Sequence, residues 1–179
     1  MASTSPCWSV WGRDVQPNRY IFLEGDSARL AIMPKPSSEW LVEDLSFLQS
    51  DGFDVIVSLL ESEEILELGL TDEPEACADL GLNFILLAIR DRGIPTEADA
   101  FHNLIMDLRS RYDSGQSIAI HCRAGIGRSG MVAAAFLMSL GHSLDGAVGI
   151  LTKARGVDVP DTPVQLDFLD TMSTRLLAG

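Results

Sequence analysis

One segment constrains the fold more than any other. A short apolar run at residues 117–120 is followed by the sequence HCRAGIGRSG at residues 121–130 and by an apolar run at residues 131–140. The first run predicts a strand and the last a helix. The glycines between them allow tight backbone turns whose N–H groups point inward. A strand, a glycine-rich loop and a helix in this order are typical of an anion-binding site at the edge of a sheet. We refer to residues 121–130 as the cradle loop.

The same strand-then-helix order recurs along most of the chain. Continuous apolar runs predict buried strands at residues 28–33, 53–60, 83–89 and 117–120. Helical spacing of apolar residues predicts helices at about residues 38–50, 96–112, 131–140, 143–154 and 162–177. Continuous apolar strands are typical of parallel sheets that are covered on both faces. We therefore predict an α/β fold with a central, mostly parallel sheet of about four to five strands flanked by helices.

Two polar loops follow predicted strand ends, where open sheets of this kind place their sites. These are residues 90–96 and the cradle loop. Cys122 begins the cradle loop, and Arg128 lies near its far end. A guanidinium group can bind two oxygens of one phosphate. Inward N–H groups, the helix N-terminus and Arg128 all favour the thiolate of Cys122, which is the nucleophilic form.

His121, Cys122, Arg128 and Ser129, in this spacing, resemble the signature of the cysteine-based protein tyrosine phosphatases. The length and layout are similar to the dual-specificity branch, especially its compact bacterial members and those near the cyclin-dependent-kinase-associated phosphatase. The resemblance covers about residues 28–175. It implies a dual-specificity phosphatase-like fold and hydrolysis of phosphomonoesters on protein through a phosphocysteine intermediate. Phosphotyrosine is the first expected substrate, with phosphoserine and phosphothreonine as further ones.

The resemblance also implies a role for individual residues. Cys122 would be the nucleophile, and Arg128 would bind phosphate. Asp91 would be the general acid that protonates the leaving oxygen and then the base toward water. Ser129 would stabilise the departing thiolate, and Gln165 would position the attacking water.

The remaining implied roles concern the cradle loop itself. His121 would support the loop and tune Cys122. The expected phosphate-binding set is Cys122, Arg123, Ala124, Gly125, Ile126, Gly127 and Arg128. The sequence has no spacing of His, Cys, Asp or Glu that suggests a metal site, and we expect no cofactor.

The N-terminal segment has no clear periodicity. We therefore expect an irregular arm at residues 1–27, followed by a phosphatase domain at residues 28–179. Asn18-Arg19-Tyr20 matches the phosphotyrosine-loop motif of the tyrosine-specific phosphatases. Because it lies in the irregular arm, we interpret the match as a coincidence.

Two further features favour structural roles. Residues 61–79 contain eight acidic side chains and no basic one, and we interpret this run as a solvated face on two short helices. The alternative for Glu61 is that it supports Arg128 from behind. Cys77 is interpreted as an unreactive core thiol, and a reversible disulfide with Cys122 is the alternative.

The charge balance excludes some partners. The chain has 13 Lys and Arg against 26 Asp and Glu, a net charge of −13, whereas nucleic-acid and anionic-membrane binding need clustered positive charge. The cysteines form no disulfide framework, and the N-terminus lacks a secretory pattern, so we expect a cytoplasmic protein. Four arginines, Arg90, Arg92, Arg123 and Arg128, lie in the two polar loops and are expected to make the approach to the site locally positive.

Several alternatives stay open. Relatives that act on inositol lipids tend to place lysine in the second half of this loop, whereas that half carries Ile126 here, so phosphoinositides and other small phosphomonoesters are the second choice of substrate. A phosphate-recognition module without turnover is another alternative, although such modules lack the nucleophile, the arginine or the acid. The glycines also match the dinucleotide fingerprint GxGxxG, but too few residues follow for a nicotinamide-binding domain. A rhodanese-like sulfurtransferase would need no partner such as Asp91.

Overall fold

A computed structural model describes residues 16–177 of the chain. The strands are β1 (Tyr20–Glu24), β2 (Arg29–Pro34), β3 (Val55–Ser58), β4 (Asn83–Leu86) and β5 (Ile118–Cys122). The helices are α1 (Leu41–Ser50), α2 (Ser62–Glu67), α3 (Glu73–Asp79), α4 (Ala98–Asp113), α5 (Gly127–Ser139), α6 (Leu144–Arg155) and α7 (Pro163–Leu177).

The strands form one sheet in the order β1-β2-β5-β3-β4. The neighbours β2 and β5, β5 and β3, and β3 and β4 pair in parallel, whereas β1 pairs with β2 in the antiparallel sense. All five residues of the central strand β5 are buried. The predicted α/β fold with a mostly parallel, helix-flanked sheet is confirmed.

Alternate residues of each strand face two separate core layers. On β2, Leu30 and Ile32 pack into the layer formed with α4, α5, α6 and α7. Ala31 and Met33 pack into the layer formed with α1 and α3. Burial on both faces explains why β2, β3 and β5 are continuous apolar runs rather than alternating ones.

The expectation of an irregular arm is wrong for residues 20–24, which form the edge strand β1. Tyr20 pairs with Ile32, and a register shift interrupts the pairing between Ile21 and Leu23. An edge strand has one paired side and needs few buried residues; here only Phe22 is fully buried. Five residues with a shift are too short to show a regular alternation. Residues 1–15 of the expected arm lie outside the described residues.

The predicted helices are all present, and each begins one to four residues from its expected start. Helix α5 begins at Gly127, four residues before the predicted start at residue 131, so Arg128 and Ser129 lie in its first turn. Helix α4 begins at Ala98, two residues after the predicted start at residue 96, and has Glu97 at its N-cap position. Within residues 16–177, no helix is both long enough and apolar enough to cross a membrane.

Candidate active site

The cradle loop joins the carboxyl end of β5 to the N-terminus of α5. Gly125 has a φ of +69°, and a Cβ there would lie 2.4 Å from the backbone carbon of Met33. Only glycine fits both the left-handed conformation and this close approach. The loop is therefore seated directly on the end of β2, and its conformation is tied to the sheet.

A pocket of about 170 Å³ opens at the cradle loop. Its lining residues come from the two polar loops and from the segment before α7: Asp91, Arg92, Cys122, Arg123, Ala124, Ile126, Gly127, Arg128 and Asp161. The structure thus brings Asp91, Cys122 and Arg128 to one pocket, as the sequence predicted. Asp161 was not among the expected site residues.

Cys122 is the last residue of β5, and its side chain is 3% exposed. Its Sγ lies 3.4 Å from Oγ of Ser129 in the first turn of α5. A hydroxyl at this distance can donate a hydrogen bond to a thiolate. The contact places the Ser129 hydroxyl beside the Cys122 sulfur.

The guanidinium of Arg128 is held by a carboxylate from α2. Nη1 and Nη2 of Arg128 donate to Oε2 and Oε1 of Glu64 at 2.5 and 2.9 Å. Nη1 also donates to the carbonyl oxygens of Leu59 at 3.3 Å and Ile89 at 3.0 Å. Arg128 is only 1% exposed, so these bonds fix a buried charge at the floor of the pocket.

The two partners hold each other in the charged form. The hydrogen bond from Arg128 lowers the pKa of the Glu64 carboxyl below its ordinary value, although burial opposes this shift. Burial alone would lower the pKa of Arg128, but the hydrogen bond to Glu64 and the negative charges around it raise that pKa instead. Arg128 is therefore a permanent cation in the site.

The interpretation of residues 61–79 as a solvated face is wrong at Glu64. Glu61, the alternative partner for Arg128, instead lies at the N-cap of α2, where its N–H donates to Glu64 Oε2 at 3.1 Å. Helix α2 begins at Ser62, so Glu64 in its first turn points inward and Glu61 does not. The inward position could have been read from helical spacing, since Glu64 stands four residues before the half-buried Leu68.

A second acid of the same run is also buried. Glu73 Oε1 lies 2.9 Å from Nε2 of His121, and both side chains are almost fully enclosed. The geometry of these two atoms is not that of a hydrogen bond, and Nδ1 of His121 also has no hydrogen-bond partner among the described residues. Glu73 stands four residues before the buried Cys77, a spacing that places both on one helix face. This supporting residue of the cradle loop was missed in the sequence.

Asp91 lies at the rim of the pocket and is 54% exposed. Its Oδ1 accepts a hydrogen bond from Nη2 of Arg128 at 2.9 Å. Its backbone N–H donates to Oε2 of Glu61 at 3.3 Å. The following residue, Arg92, has a φ of +56°, so the chain turns sharply directly after Asp91.

Gln165 lies between the Asp91 loop and the start of α5. Its Nε2 donates to the carbonyl oxygen of Gly93 at 3.0 Å, and its side chain is buried. Its Oε1 has no hydrogen-bond partner among the described residues. A Cβ on Gly127 would lie 3.2 Å from that oxygen, so the amide of Gln165 touches the cradle loop. The side chain of Gln165 thus lies next to both polar loops of the pocket.

The expected positive approach to the pocket is weaker than the sequence suggested. Arg123 Nη2 lies 2.6 Å from Glu67 Oε1, and Arg92 Nη1 lies 3.9 Å from Asp161 Oδ2. Arg128 is paired as described above, whereas Arg90 is exposed. The acidic partners come from α2 and from the segment before α7, which are distant in sequence from the two loops. The loop sequences alone therefore did not reveal these pairs.

Cys77 is fully buried in α3 and packs in the core layer opposite to that of Cys122. Burial raises the pKa of the Cys77 thiol to about 12, and the charge of Glu73 adds to this effect. Such a thiol is not ionised at neutral pH, which agrees with an unreactive core residue. The two cysteines lie in layers separated by the sheet, which argues against the alternative of a disulfide between them.

No group of three or more His, Cys, Asp or Glu side chains within residues 16–177 is arranged to hold a metal ion.

Comparisons with known proteins identify the family and the fold of this chain. The family model for the polymorphic toxin system DSP-PTPase phosphatase matches residues 32–142, more than half of the chain. A curated relative is mouse protein tyrosine phosphatase domain-containing protein 1, which is 25% identical over 139 residues. The match covers 72% of this chain but only 18% of the relative's length.

Two solved structures share the fold. The kinase-associated phosphatase, crystallised with its catalytic cysteine replaced by serine, is 19% identical with a TM-score of 0.82. That match covers 93% of this chain and 99% of the other. PTPMT1 in complex with PI(5)P is 20% identical with a TM-score of 0.69, over 83% of this chain and 92% of the other. The two structures show that this chain has their fold, and the family match shows that it belongs to the DSP-PTPase phosphatases of polymorphic toxin systems, within the cysteine-based protein tyrosine phosphatase superfamily.

Proposed function

We propose that this phosphatase hydrolyses phosphotyrosine on a protein substrate, and phosphoserine and phosphothreonine less efficiently, through a phosphocysteine intermediate. The observation that carries the proposal is the convergence of Cys122, Arg128 and Asp91 on one pocket. A nucleophile, a fixed cation and a rim carboxyl are the groups that this two-step reaction needs.

In the first step the phosphate enters the cradle loop and replaces Asp91 as the hydrogen-bond acceptor of Arg128 Nη2. The thiolate of Cys122 attacks phosphorus, so that a sulfur–phosphorus bond forms while the bond to the leaving oxygen breaks. Asp91, displaced but still at the rim, takes up a proton from solvent once it has left the guanidinium and donates that proton to the leaving oxygen. The N–H groups of the loop and the N-terminus of α5 stabilise the charge on the transferred phosphoryl group.

In the second step water attacks the phosphocysteine. Asp91, now ionised, accepts the proton of that water, and the amide of Gln165 orients it. The sulfur–phosphorus bond breaks, inorganic phosphate leaves, and Oγ of Ser129 donates a hydrogen bond to the departing thiolate of Cys122. Every group in this proposed cycle is a side chain or backbone group of the chain, the substrate or water, so the mechanism calls for no cofactor.

The pocket favours an aryl phosphate over a polyphosphorylated ring. Arg123, the residue best placed for a second phosphate, is paired with Glu67 at 2.6 Å. Ile126 lines the pocket with an apolar surface and partly packs against the core. Phosphoinositides are the alternative substrate class, because PTPMT1, with the same fold, was crystallised with PI(5)P.

The proposal places the enzyme in a reducing compartment such as the cytoplasm, where Cys122 stays a free thiol.

The test is turnover of p-nitrophenyl phosphate and of a phosphotyrosine peptide by the full chain. We expect hydrolysis by the wild type, with EDTA leaving the rate unchanged. Cys122→Ser should retain less than about 1% of this rate, since a hydroxyl is far less nucleophilic than a thiolate, yet still bind inorganic phosphate. Cys77→Ala is the matched control and should keep its activity. A wild type that binds phosphate but turns over neither substrate would instead be a phosphate-recognition module.

A further inference from the structure

The outer side of the cradle loop carries an arginine that has no role in the reaction described above. Arg155 is the last residue of α6. Its Nε donates to the carbonyl oxygen of Gly125 at 3.1 Å, and its Nη2 donates to that of Ala124 at 3.3 Å. Its guanidinium carbon lies 4.0 Å from the ring centroid of Tyr20 in the edge strand β1. One side chain is thus fixed by the loop on one side and by an aromatic face on the other.

These two hydrogen bonds determine where the loop's N–H groups point. In a planar trans peptide the C=O and N–H bonds point in opposite directions. With the oxygens of Ala124 and Gly125 turned toward Arg155, the N–H groups of Gly125 and Ile126 point away from it. The far side of the loop is the side of the pocket, which Ala124 and Ile126 line.

The close approach to Met33 fixes where the loop lies on the sheet, but not how the peptide groups of residues 124–126 are oriented. Gly125 has no side chain that could hold its peptide groups in place, and glycine readily adopts alternative backbone conformations. A cation at the carbonyl end of a peptide group also polarises it and strengthens the N–H at the other end as a donor.

We propose that Arg155, held against the ring of Tyr20, is a positioning residue that orients the peptide groups of residues 124–126 toward the bound phosphoryl group. This deepens the function proposed above and rests on it. Tyr20 belongs to the Asn18-Arg19-Tyr20 triplet interpreted as a coincidence in the sequence. The structure gives Tyr20 a use that does not involve contact with the substrate: β1 brings an aromatic face under the arginine.

Inhibition by inorganic phosphate tests the proposal, because it reports on the loop without requiring chemistry. In Arg155→Met, which retains an unbranched apolar stem over Tyr20, we expect the inhibition constant of phosphate against p-nitrophenyl phosphate to rise about tenfold, or about 1.4 kcal/mol. The KM for p-nitrophenyl phosphate should rise with it. Arg155→Lys should recover part of the loss, because it keeps the charge and one donor but not the two-point contact.

Arg109→Met is the matched control. Nη1 of Arg109 also donates to a backbone carbonyl, that of Ser139 at 2.6 Å, at the opposite end of α5. This helix has 13 residues and is therefore about 20 Å long at about 1.5 Å per residue. Phosphate inhibition in Arg109→Met should equal that of the wild type. An unchanged inhibition constant in Arg155→Met, or an equal rise in Arg109→Met, would overturn the proposal.

Tyr20→Leu keeps the experiment decisive if Arg155→Met does not fold. This variant retains the arginine and removes the ring, so phosphate inhibition should weaken about threefold. A wild-type inhibition constant in folded Tyr20→Leu would then overturn the proposal. If the proposed function is wrong, the wild type itself will not turn over phosphomonoesters. If only the role of Arg155 is wrong, the wild type and Arg155→Met will both be active and will have equal inhibition constants for phosphate.

Discussion

Glu64 accepts hydrogen bonds from both terminal nitrogens of Arg128, at 2.5 and 2.9 Å. It does so although it belongs to the acidic run at residues 61–79, which has the composition of a solvated surface. The carboxylate neutralises a charge that is 1% exposed and fixes the plane of the guanidinium. Under the proposed function, phosphate binding and folding would therefore depend on the same pair of residues.

Removal of the Glu64 carboxylate should destabilise the protein strongly. In Glu64→Ala the buried guanidinium loses its partner, which costs about 3–5 kcal/mol in comparable pairs. The measurement is the free energy of unfolding from urea titrations at pH 7. Glu63→Ala is the control, because Glu63 is on the same helix but exposed. Equal unfolding free energies for the two variants would contradict a structural role of the pair.

The contribution of Glu64 should depend on pH in a defined direction. Its pKa in the folded state is lowered from 4.5, mainly by the hydrogen bond from Arg128. The stabilisation is fully present above the unfolded-state pKa and is lost as the pH falls through the lower folded-state pKa. The difference in unfolding free energy between the wild type and Glu64→Gln should therefore be largest near pH 7 and should shrink below about pH 4.5. A difference that grows on acidification would contradict this assignment.

Replacement of Asp91 should lower kcat but increase the affinity for inorganic phosphate. Asp91→Asn should lower kcat for a phosphotyrosine peptide by about 10²–10⁴, because the leaving oxygen no longer receives a proton. The loss should be smaller for p-nitrophenyl phosphate, whose leaving group needs no proton. Phosphate should inhibit this variant more strongly than the wild type, since the charged competitor for Nη2 of Arg128 is gone.

Asp99→Asn is the control for that experiment. Asp99 is 81% exposed, and its carboxylate pairs with Arg175 at 2.6 Å on α7. We expect its kcat to equal that of the wild type. A large loss in Asp99→Asn together with an active Asp91→Asn would assign the acid to Asp99.

Cys77 should resist alkylation in the native protein. With a pKa of about 12, its thiol is almost entirely protonated at pH 8, and it is fully buried. Treatment with iodoacetamide followed by peptide mass spectrometry should find Cys122 modified and Cys77 unmodified. Cys77 should react once urea unfolds the chain. Native modification of Cys77 at the rate of Cys122, or a disulfide between them after oxidation, would show that the thiol is accessible.

Substrate choice should follow the pairing of Arg123. We expect kcat/KM for a phosphotyrosine peptide to exceed that for a phosphoinositide at least about tenfold, or about 1.4 kcal/mol of transition-state binding, with phosphothreonine peptides in between. In Glu67→Ala, where Arg123 is released, the gap should narrow. The measurement is phosphate release by malachite green at matched ionic strength. A panel led by the phosphoinositide would show that Ile126 and Arg123 do not set the specificity.

The parts of the site that are contiguous in sequence could be predicted, and those that depend on packing could not. Cys122, Arg128 and Ser129 lie on one strand–loop–helix unit whose local conformation follows from its glycines and apolar flanks. Asp91 and Gln165 were located only through the resemblance. Glu64 and Glu73 were missed because the composition of a dense acidic run does not show which of its side chains face inward. Their direction depends on the residues at which α2 and α3 begin.

The fold shows the same division. The strands buried on both faces were visible as continuous apolar runs, and the helices as periodic ones. The edge strand β1 was missed because one paired side and one bulge leave little pattern. Arg155 was missed for another reason: its two acceptors are backbone carbonyls, which carry no signal in an amino-acid sequence.

The contact between Asp91 and Arg128 gives the pocket an anion of its own. An anion that binds to Arg128 must replace the Asp91 carboxylate, which lies 2.9 Å from Nη2. Chloride or a single carboxylate gains little from such an exchange, because it offers no more charge than it displaces. A phosphate dianion brings twice the charge and further oxygens for the backbone donors. We therefore expect the pair to act as an ion filter that keeps the abundant monovalent anions of a cell from occupying the site.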